Sequence, residues 1–182
     1  MRELSASTPD PAAPGLRVRA EISDSARSSV ETGIPVLDHL VGLTARYASL
    51  DLALEVEPGA AAAEATAAGW ALGQALLPHL TREGAQGYGS VALPAGEALA
   101  HVALEVSGEP LVVSNVDLSQ AHVGGLAADV IGDFLESFAS GAGLTLHVRL
   151  LEGEDPEHVL DAIFKALGAA LASACGQPSG GR

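Results

Sequence analysis

The chain has 182 residues, which is enough for one or two small domains with a buried core. Nine Lys and Arg residues against 23 Asp and Glu residues give a formal net charge of −14, and this acidity argues against nucleic acid or an anionic membrane as a partner. No apolar run reaches the ~18–20 residues of a membrane span and no hydrophobic signal segment opens the chain, so we expect a cytoplasmic protein.

The first half of the chain switches between strand-like and helix-like apolar patterns. Residues 1–15 show no periodicity and are predicted to be a disordered lead-in. The segment from Leu16 alternates apolar and charged residues as a half-buried strand does, and residues 28–31 are predicted to pair back on it as a hairpin. A helical spacing begins at Pro35, strand alternation returns at Leu50, and the Ala-rich run 60–80 favours a second helix.

The second half repeats this order of elements. Residues 91–113 predict strands with a turn at Gly108, followed by a helix over about 127–139 and a strand from Leu144. The last helix begins after Pro156, which a first helical turn tolerates. Cys175 is interpreted as a small apolar side chain near the end of that helix, and as a lone cysteine it excludes an intrachain disulfide and a cysteine-based zinc site. Residues 175–182 are predicted to be a flexible tail.

The order of elements indicates an internal duplication. With an offset of 94 residues the first helix overlays the third and LDLALEV overlays LTLHVRL, and with an offset of 95 ALGQAL overlays ALGAAL. We therefore predict an α/β fold, an α+β sandwich, made of two similar halves packed together, each a hairpin, helix, strand and helix. The predicted halves are residues 16–82 and 86–174.

Histidines and carboxylates are the candidate functional groups. His158 and Asp161 are three residues apart near the start of the last helix, so both are predicted to face one side, where a metal or a proton is shared between them, with Glu157 beside them. His39 follows the motif TGIPVLD. For a single histidine the plainer interpretation is a solvated or hydrogen-bonded polar residue, and this is our interpretation of His79 and His122.

Four segments carry a resemblance to a known family. ETGIPVLDHL, GEALAHVALEVSG, TLHVRLLEG and EHVLDAIFKALGAAL, in that order, resemble imidazoleglycerol-phosphate dehydratase of histidine biosynthesis. The resemblance implies a duplicated α/β fold, trimers that build a large symmetric shell, and two manganese ions held mainly by histidines between subunits. It also implies a lyase that eliminates water from the glycerol-phosphate side chain of its substrate.

At the metal positions this sequence departs from the family pattern. The motif HHxxED falls on Ala62, Ala63, Thr66 and Ala67, and side chains of these types do not bind a hard or borderline cation well. A later family histidine falls on Tyr47. The residues that keep a ligand type, and so form a tentative residual metal set, are His39, Asp133, His158 and Asp161.

The positions that hold the substrate phosphate also differ. Two family arginines fall on Gly87 and Glu109, the second of which is a charge reversal, whereas Lys165 matches a family phosphate lysine. A family glutamate implicated in proton transfer falls on Ala13.

Three hypotheses follow. In the favoured one the chain is a catalytically degenerate homologue that keeps fold and assembly, with manganese absent or reduced to one weakened site. The first alternative is an active dehydratase with a reduced metal site, and the last is an enzyme with a new substrate that uses His39, Glu97, His147 and His158. A homo-oligomer, trimer-based by resemblance, or a complex with a catalytic paralogue is the expected assembly. The weakly charged run 60–68 is predicted to form part of an intermolecular contact.

Overall fold

The computed structural model describes residues 18–23, 28–118 and 121–176, which form four helices and nine strands. The predicted lead-in, residues 1–15, and residues 177–182 of the predicted tail 175–182 lie outside the described residues. The helices are α1 (Pro35–Tyr47), α2 (Ala61–Thr81), α3 (Asp129–Ala142) and α4 (Pro156–Ala174). The strands are β1 (Val18–Ser23), β2 (Ser29–Glu31), β3 (Asp51–Val56), β4 (Tyr88–Ala95), β5 (Ala98–Val106), β6 (Leu111–Ser114), β7 (His122–Val123), β8 (Leu126–Ala127) and β9 (Leu144–Glu152).

Two sheets share one pairing scheme. In the three-stranded sheet, of order β1-β3-β2, β1 is antiparallel and β2 parallel to the central β3. In the four-stranded sheet, of order β4-β5-β9-β6, β5 is antiparallel and β6 parallel to β9. The two-stranded β7-β8 ribbon is separate. The α/β class is therefore confirmed.

The predicted hairpin of the first half is wrong. Because β1 and β2 flank β3 on opposite sides, they cannot pair with each other. In the second half β4 and β5 do form a hairpin, which turns at Gly96 with a positive φ of 53°. The predicted turn at Gly108 instead carries the chain from β5 towards β6, which pairs with β9.

The elements stack in four layers with the helices inside. The pair α1 and α2 lies on the three-stranded sheet, the pair α3 and α4 lies on the four-stranded sheet, and α2 packs on α3 while α1 packs on α4. The three phenylalanines of the chain, Phe134, Phe138 and Phe164, are fully buried in this helical interior. No helix in the described ranges combines the length and apolarity needed to cross a bilayer.

Small residues let the helices approach closely. A Cβ at Gly168 of α4 would overlap the backbone oxygen of Thr44 in α1, and one at Gly69 of α2 would overlap the backbone oxygen of Phe134 in α3. Glycine at these two positions therefore sets the distance between the two halves.

Part of the Ala-rich run 60–68, which is predicted to form an intermolecular contact, is buried within the chain. Ala65, Ala67 and Ala68 are buried within the chain, where α2 packs on α3. The only charged residue of the run, Glu64, is also buried and accepts a hydrogen bond of 2.7 Å from the backbone N–H of Gly59. Burial within the chain accounts for the lack of charge at Ala65, Ala67 and Ala68, whereas Ala60 and Ala62 are exposed, so the intermolecular contact stays a prediction.

Candidate functional site

A histidine–aspartate pair marks the candidate site, where α1 and α4 lie side by side. Nε2 of His39 in α1 is 2.9 Å from Oδ1 of Asp161 in α4. The two side chains are 57% and 31% exposed, so the pair is open to solvent on one side. With the proton on Nε2, the imidazole donates to the carboxylate and Nδ1 stays available as an acceptor or ligand.

Buried threonines hold this pair in place. The backbone N–H and the hydroxyl of Thr32 both donate to Oδ1 of Asp38, at 2.7 and 2.6 Å, which fixes the first turn of α1. The hydroxyl of Thr44 donates to the backbone oxygen of Phe164 at 3.1 Å and joins α1 to α4. Sequence reasoning did not single out these residues. They could have been recognised in the sequence as polar residues at positions where the apolar pattern predicts the core.

A pocket of about 290 Å³ opens beside the pair. Its polar lining residues are His39, Asp161 and Glu157. Its other lining residues come from α1, α4 and the β7-β8 ribbon, and they are Pro35, Val36, Leu40, Val123, Gly124 and Leu160. A histidine and two carboxylates among apolar residues suit a small ligand that carries a hydrogen-bond donor or a positive charge.

A second pair, His158 with Glu97, lies at the start of α4. The Glu97 carboxylate accepts backbone hydrogen bonds from Asp155 at 2.9 Å and from Glu154 at 3.2 Å. The hydrogen bond from Asp155 is the main cause that lowers the pKa of Glu97, against a smaller opposing effect of desolvation. Nδ1 of His158 lies 3.5 Å from Oε1 of Glu97, a distance for electrostatic attraction but too long for a hydrogen bond, and the Nδ1 atom is otherwise buried without a partner.

Replacement of Glu97 by glutamine is expected to lower the free energy of unfolding at neutral pH and to have less effect in acid. The pKa of Glu97 in the folded protein lies below the ordinary glutamate value. At pH values above that ordinary value, the carboxylate therefore makes its full contribution to the stability of the folded protein. Its contribution is lost as the pH falls through the lowered pKa. Urea unfolding at about pH 7 and about pH 4 measures the difference. Glu105→Gln, an exposed position on β5, the strand that follows Glu97, is the control; an equal loss at both pH values would contradict the expectation.

His158 and Asp161 do not share a partner, contrary to the sequence prediction. The tip of the β4-β5 hairpin approaches His158, and a Cβ added at Gly96 would lie 2.5 Å from its Nδ1. Asp161 instead faces α1 and pairs with His39. Two residues three apart on one helix diverge here because different neighbouring elements contact each of them.

The other candidates lie apart from these pairs. Asp133 is exposed on α3. His147 lies on the outer face of the four-stranded sheet, whose inner face packs on α4, so the sheet separates His147 from His158. Within residues 18–23, 28–118 and 121–176, no three His, Cys, Asp or Glu side chains lie close enough together to hold a metal ion.

Comparisons with known proteins place the chain in a family. The sequence model of imidazoleglycerol-phosphate dehydratase matches residues 32–171. The chain belongs to the imidazoleglycerol-phosphate dehydratase family. The dehydratase of Pelobacter propionicus is 35% identical over 169 residues, covering 86% of this chain and 82% of the relative, and that of Moorella thermoacetica is 36% identical over 166 residues, covering 87% and 83%.

Solved structures of dehydratases share the fold. The enzyme of Pyrococcus furiosus superposes with a TM-score of 0.81 at 26% identity, covering 90% of each chain. The enzyme of Staphylococcus aureus superposes with a TM-score of 0.78 at 30% identity, covering 86% of this chain and 92% of the other. The family and the α/β fold expected from the four sequence motifs are therefore confirmed.

The four positions at which the resemblance implies the HHxxED motif lie in the first turns of α2. Ala62 is exposed, Ala63 and Thr66 are half-buried, and Ala67 is buried against the rest of the chain. The Thr66 hydroxyl donates to the backbone oxygen of Ala62 at 2.8 Å, so it is engaged within its own helix. This stretch therefore presents no histidine or carboxylate from those four positions.

The three positions at which the resemblance implies phosphate-binding residues lie before β4, after β5 and on α4. Gly87 precedes β4 with a φ of 74°, and its N–H donates to the backbone oxygen of Ala174. Glu109 is exposed in the turn after β5. Nζ of Lys165 on α4 lies 6.0 Å from the ring centroid of Tyr47. At this distance a cation is attracted to the aromatic face, and Arg46 lies 5.8 Å from the same ring.

Proposed function

We propose that this family member keeps the dehydratase fold and its self-association while having lost most of the dehydratase chemistry. The observation that carries the proposal is the donor arrangement: the described residues offer a His39–Asp161 pair and a His158–Glu97 pair and no group of three. It would act as a structural or regulatory homologue within histidine biosynthesis, the pathway of the lyases in its family.

The metal chemistry of the family does not fit the donors of one chain. A stable transition-metal site in a protein uses about three or four side-chain ligands. Each of the two pairs supplies two, and four further positions of the family motif carry Ala62, Ala63, Thr66 and Ala67. A two-manganese site therefore lacks ligands even if a second subunit contributes the tentative donor Asp133.

The contacts that would hold the substrate phosphate are weakened in the same way. Glu109 places a carboxylate where the resemblance implies an arginine, in a chain of net charge −14. Two like charges some 4 Å apart repel by about 4 kcal/mol at an effective dielectric constant near 20. Lys165, held near Tyr47, is then the one surviving phosphate contact among the three matched positions.

Burial of the predicted core residues supports the proposal that the fold is retained. The predicted core residues Leu37, Leu40, Leu54, Phe164 and Leu167 are all buried. The shared pairing scheme of the two sheets supports the proposal that residues 16–82 and 86–174 arose by duplication. We propose a homo-oligomer built on trimers, or a complex with a catalytic paralogue, as the functional assembly; the cytoplasmic location stays a prediction.

One observation favours the alternative of an active enzyme with a reduced site. The His39–Asp161 pair borders a pocket of about 290 Å³, large enough for a small heterocyclic ligand. With Glu157 beside it, this pocket would bind one divalent cation if a second subunit supplied a further ligand.

Metal content separates the two proposals. Protein purified without chelator, incubated with Mn²⁺ and dialysed, is expected to retain fewer than one manganese ion per chain by elemental analysis. The dehydratase of Moorella thermoacetica, treated identically, is the positive control. Retention of two ions per chain, abolished by His39→Ala or His158→Ala, would overturn the degenerate assignment, as would growth of a dehydratase-deficient histidine auxotroph that expresses this chain.

A further inference from the structure

The polar side chains of the pocket beside the His39–Asp161 pair are hydrogen-bond acceptors. The carboxylates of Glu157 and Asp161, which both line the pocket, only accept when ionised. With the proton of His39 on Nε2, where it bonds to Oδ1 of Asp161 at 2.9 Å, the Nδ1 atom is an acceptor as well. A ligand that pairs with these three side chains therefore has to supply the donors.

The charge of the pocket is negative and is not balanced by its own lining. Of the described residues that line it, none is a lysine or an arginine, and two are carboxylates. The cationic side chains of α1 and α4, Arg46 and Lys165, instead lie 5.8 and 6.0 Å from the ring centroid of Tyr47. Tyr47 is eight residues beyond His39, about 12 Å along α1. The pocket therefore favours a ligand that brings a positive charge of its own.

The rest of the pocket is apolar. Six of its nine lining residues have no polar side-chain atom, so a bare metal ion would leave most of the lining without a partner. The turn of the β7-β8 ribbon approaches α1 closely, since a Cβ at Gly124 would overlap Cγ2 of Val36. The volume of about 290 Å³ suits a compact body such as one ring or a short aliphatic chain.

We propose that this pocket binds a small organic cation, a protonated amine or amidine attached to an apolar body. Its N–H groups would donate to His39, Glu157 and Asp161, and its apolar part would lie against Val36 and the other apolar lining residues. The inference rests on the proposed loss of metal chemistry, because bound manganese would occupy these acceptors itself. It gives the proposed regulatory homologue a ligand of opposite charge to a phosphate ester.

Three ligands of nearly the same shape test the sign of the charge. Benzamidine is a cation with N–H donors, benzamide is its neutral counterpart, and benzoate is an anion. Each is titrated into the full-length protein, in buffer that contains a chelator, and binding is measured by calorimetry. Benzamidine is expected to bind about tenfold more tightly than benzamide or better, because a hydrogen bond to a charged group is stronger than a neutral one. Equal or tighter binding of benzamide or benzoate would overturn the proposal.

Two variants locate the site. Glu157→Gln and Asp161→Asn each remove one carboxylate and are expected to raise the dissociation constant of benzamidine about threefold to tenfold. Glu157 is exposed, so its replacement tests the site without disturbing the core. Glu136→Gln, at an exposed position on α3, changes the net charge by the same amount and is expected to leave the constant unchanged. Benzamidine affinity that is the same in wild type and in both pocket variants would overturn the proposal.

Metal analysis of the same preparation separates this inference from the proposed function. Absence of benzamidine binding in protein that retains fewer than one manganese ion per chain would overturn the inference and leave the proposed function standing. Retention of two manganese ions per chain after incubation and dialysis without chelator would overturn the proposed function, whatever the benzamidine titration gives.

Discussion

The purified chain, given excess Mn²⁺ and imidazoleglycerol phosphate, is expected to turn over at least about 10³-fold more slowly than the Pelobacter propionicus relative. A bound metal typically supplies several kcal/mol of charge stabilisation in the transition state, and each ~1.4 kcal/mol is tenfold in rate. On the proposed function, Ala62 and Ala63 stand where the resemblance implies imidazole ligands to the metal, and Glu109 would repel the phosphate that positions the substrate. Continuous detection of the released ketone, at several substrate concentrations, measures kcat/KM for both proteins.

Variants decide whether any residual turnover belongs to this chain. Background turnover is expected to be the same in the wild type, His39→Ala and Lys165→Ala. Leu151→Ala, which removes an exposed apolar side chain far along β9, controls for handling and preparation. A rate well above background that falls in His39→Ala and not in Leu151→Ala would contradict the degenerate assignment and favour the reduced-site enzyme.

Phe164→Ala is expected to lower the free energy of unfolding by about 3–5 kcal/mol, the usual loss for a large buried aromatic side chain. Phe164 is fully buried on α4, and its ring centroid lies 5.9 Å from that of Phe134 on α3. Its backbone oxygen also accepts a hydrogen bond from the hydroxyl of Thr44 on α1. Truncation would therefore leave a cavity where three of the four helices meet. Urea unfolding at one fixed protein concentration, followed by circular dichroism, measures the loss.

The control for this cavity is truncation at the surface. Leu151→Ala removes a side chain that is 55% exposed and is expected to change stability by no more than about 0.5 kcal/mol. A loss below about 1 kcal/mol in Phe164→Ala would mean that the helical interior collapses around the gap rather than holding its shape.

Local patterns in the sequence determined the helices and much of the core. Proline at the first position and helical apolar spacing fix the start of α1 at Pro35 and of α4 at Pro156, because a proline ring fits the first helical turn and ends any preceding one. The apolar residues predicted for α4, including Val159, Ile163 and Leu171, are buried. Cys175 is buried at the C-cap of α4, as its apolar neighbours indicated.

Strand partners and side-chain neighbours were decided only by the tertiary structure. Strand β2 has three residues and β6 has four, too few for a local pattern to specify whether each pairs with the preceding strand or in parallel with a later one. Helical spacing placed His158 and Asp161 on one side of α4, but it carried no information about Gly96 and His39, which approach from a distant hairpin and another helix. The weak charge of residues 60–68 was correctly observed, yet burial within the chain and burial against a partner have the same composition. Periodicity records which side of an element avoids water, and only packing of the whole chain selects what covers it.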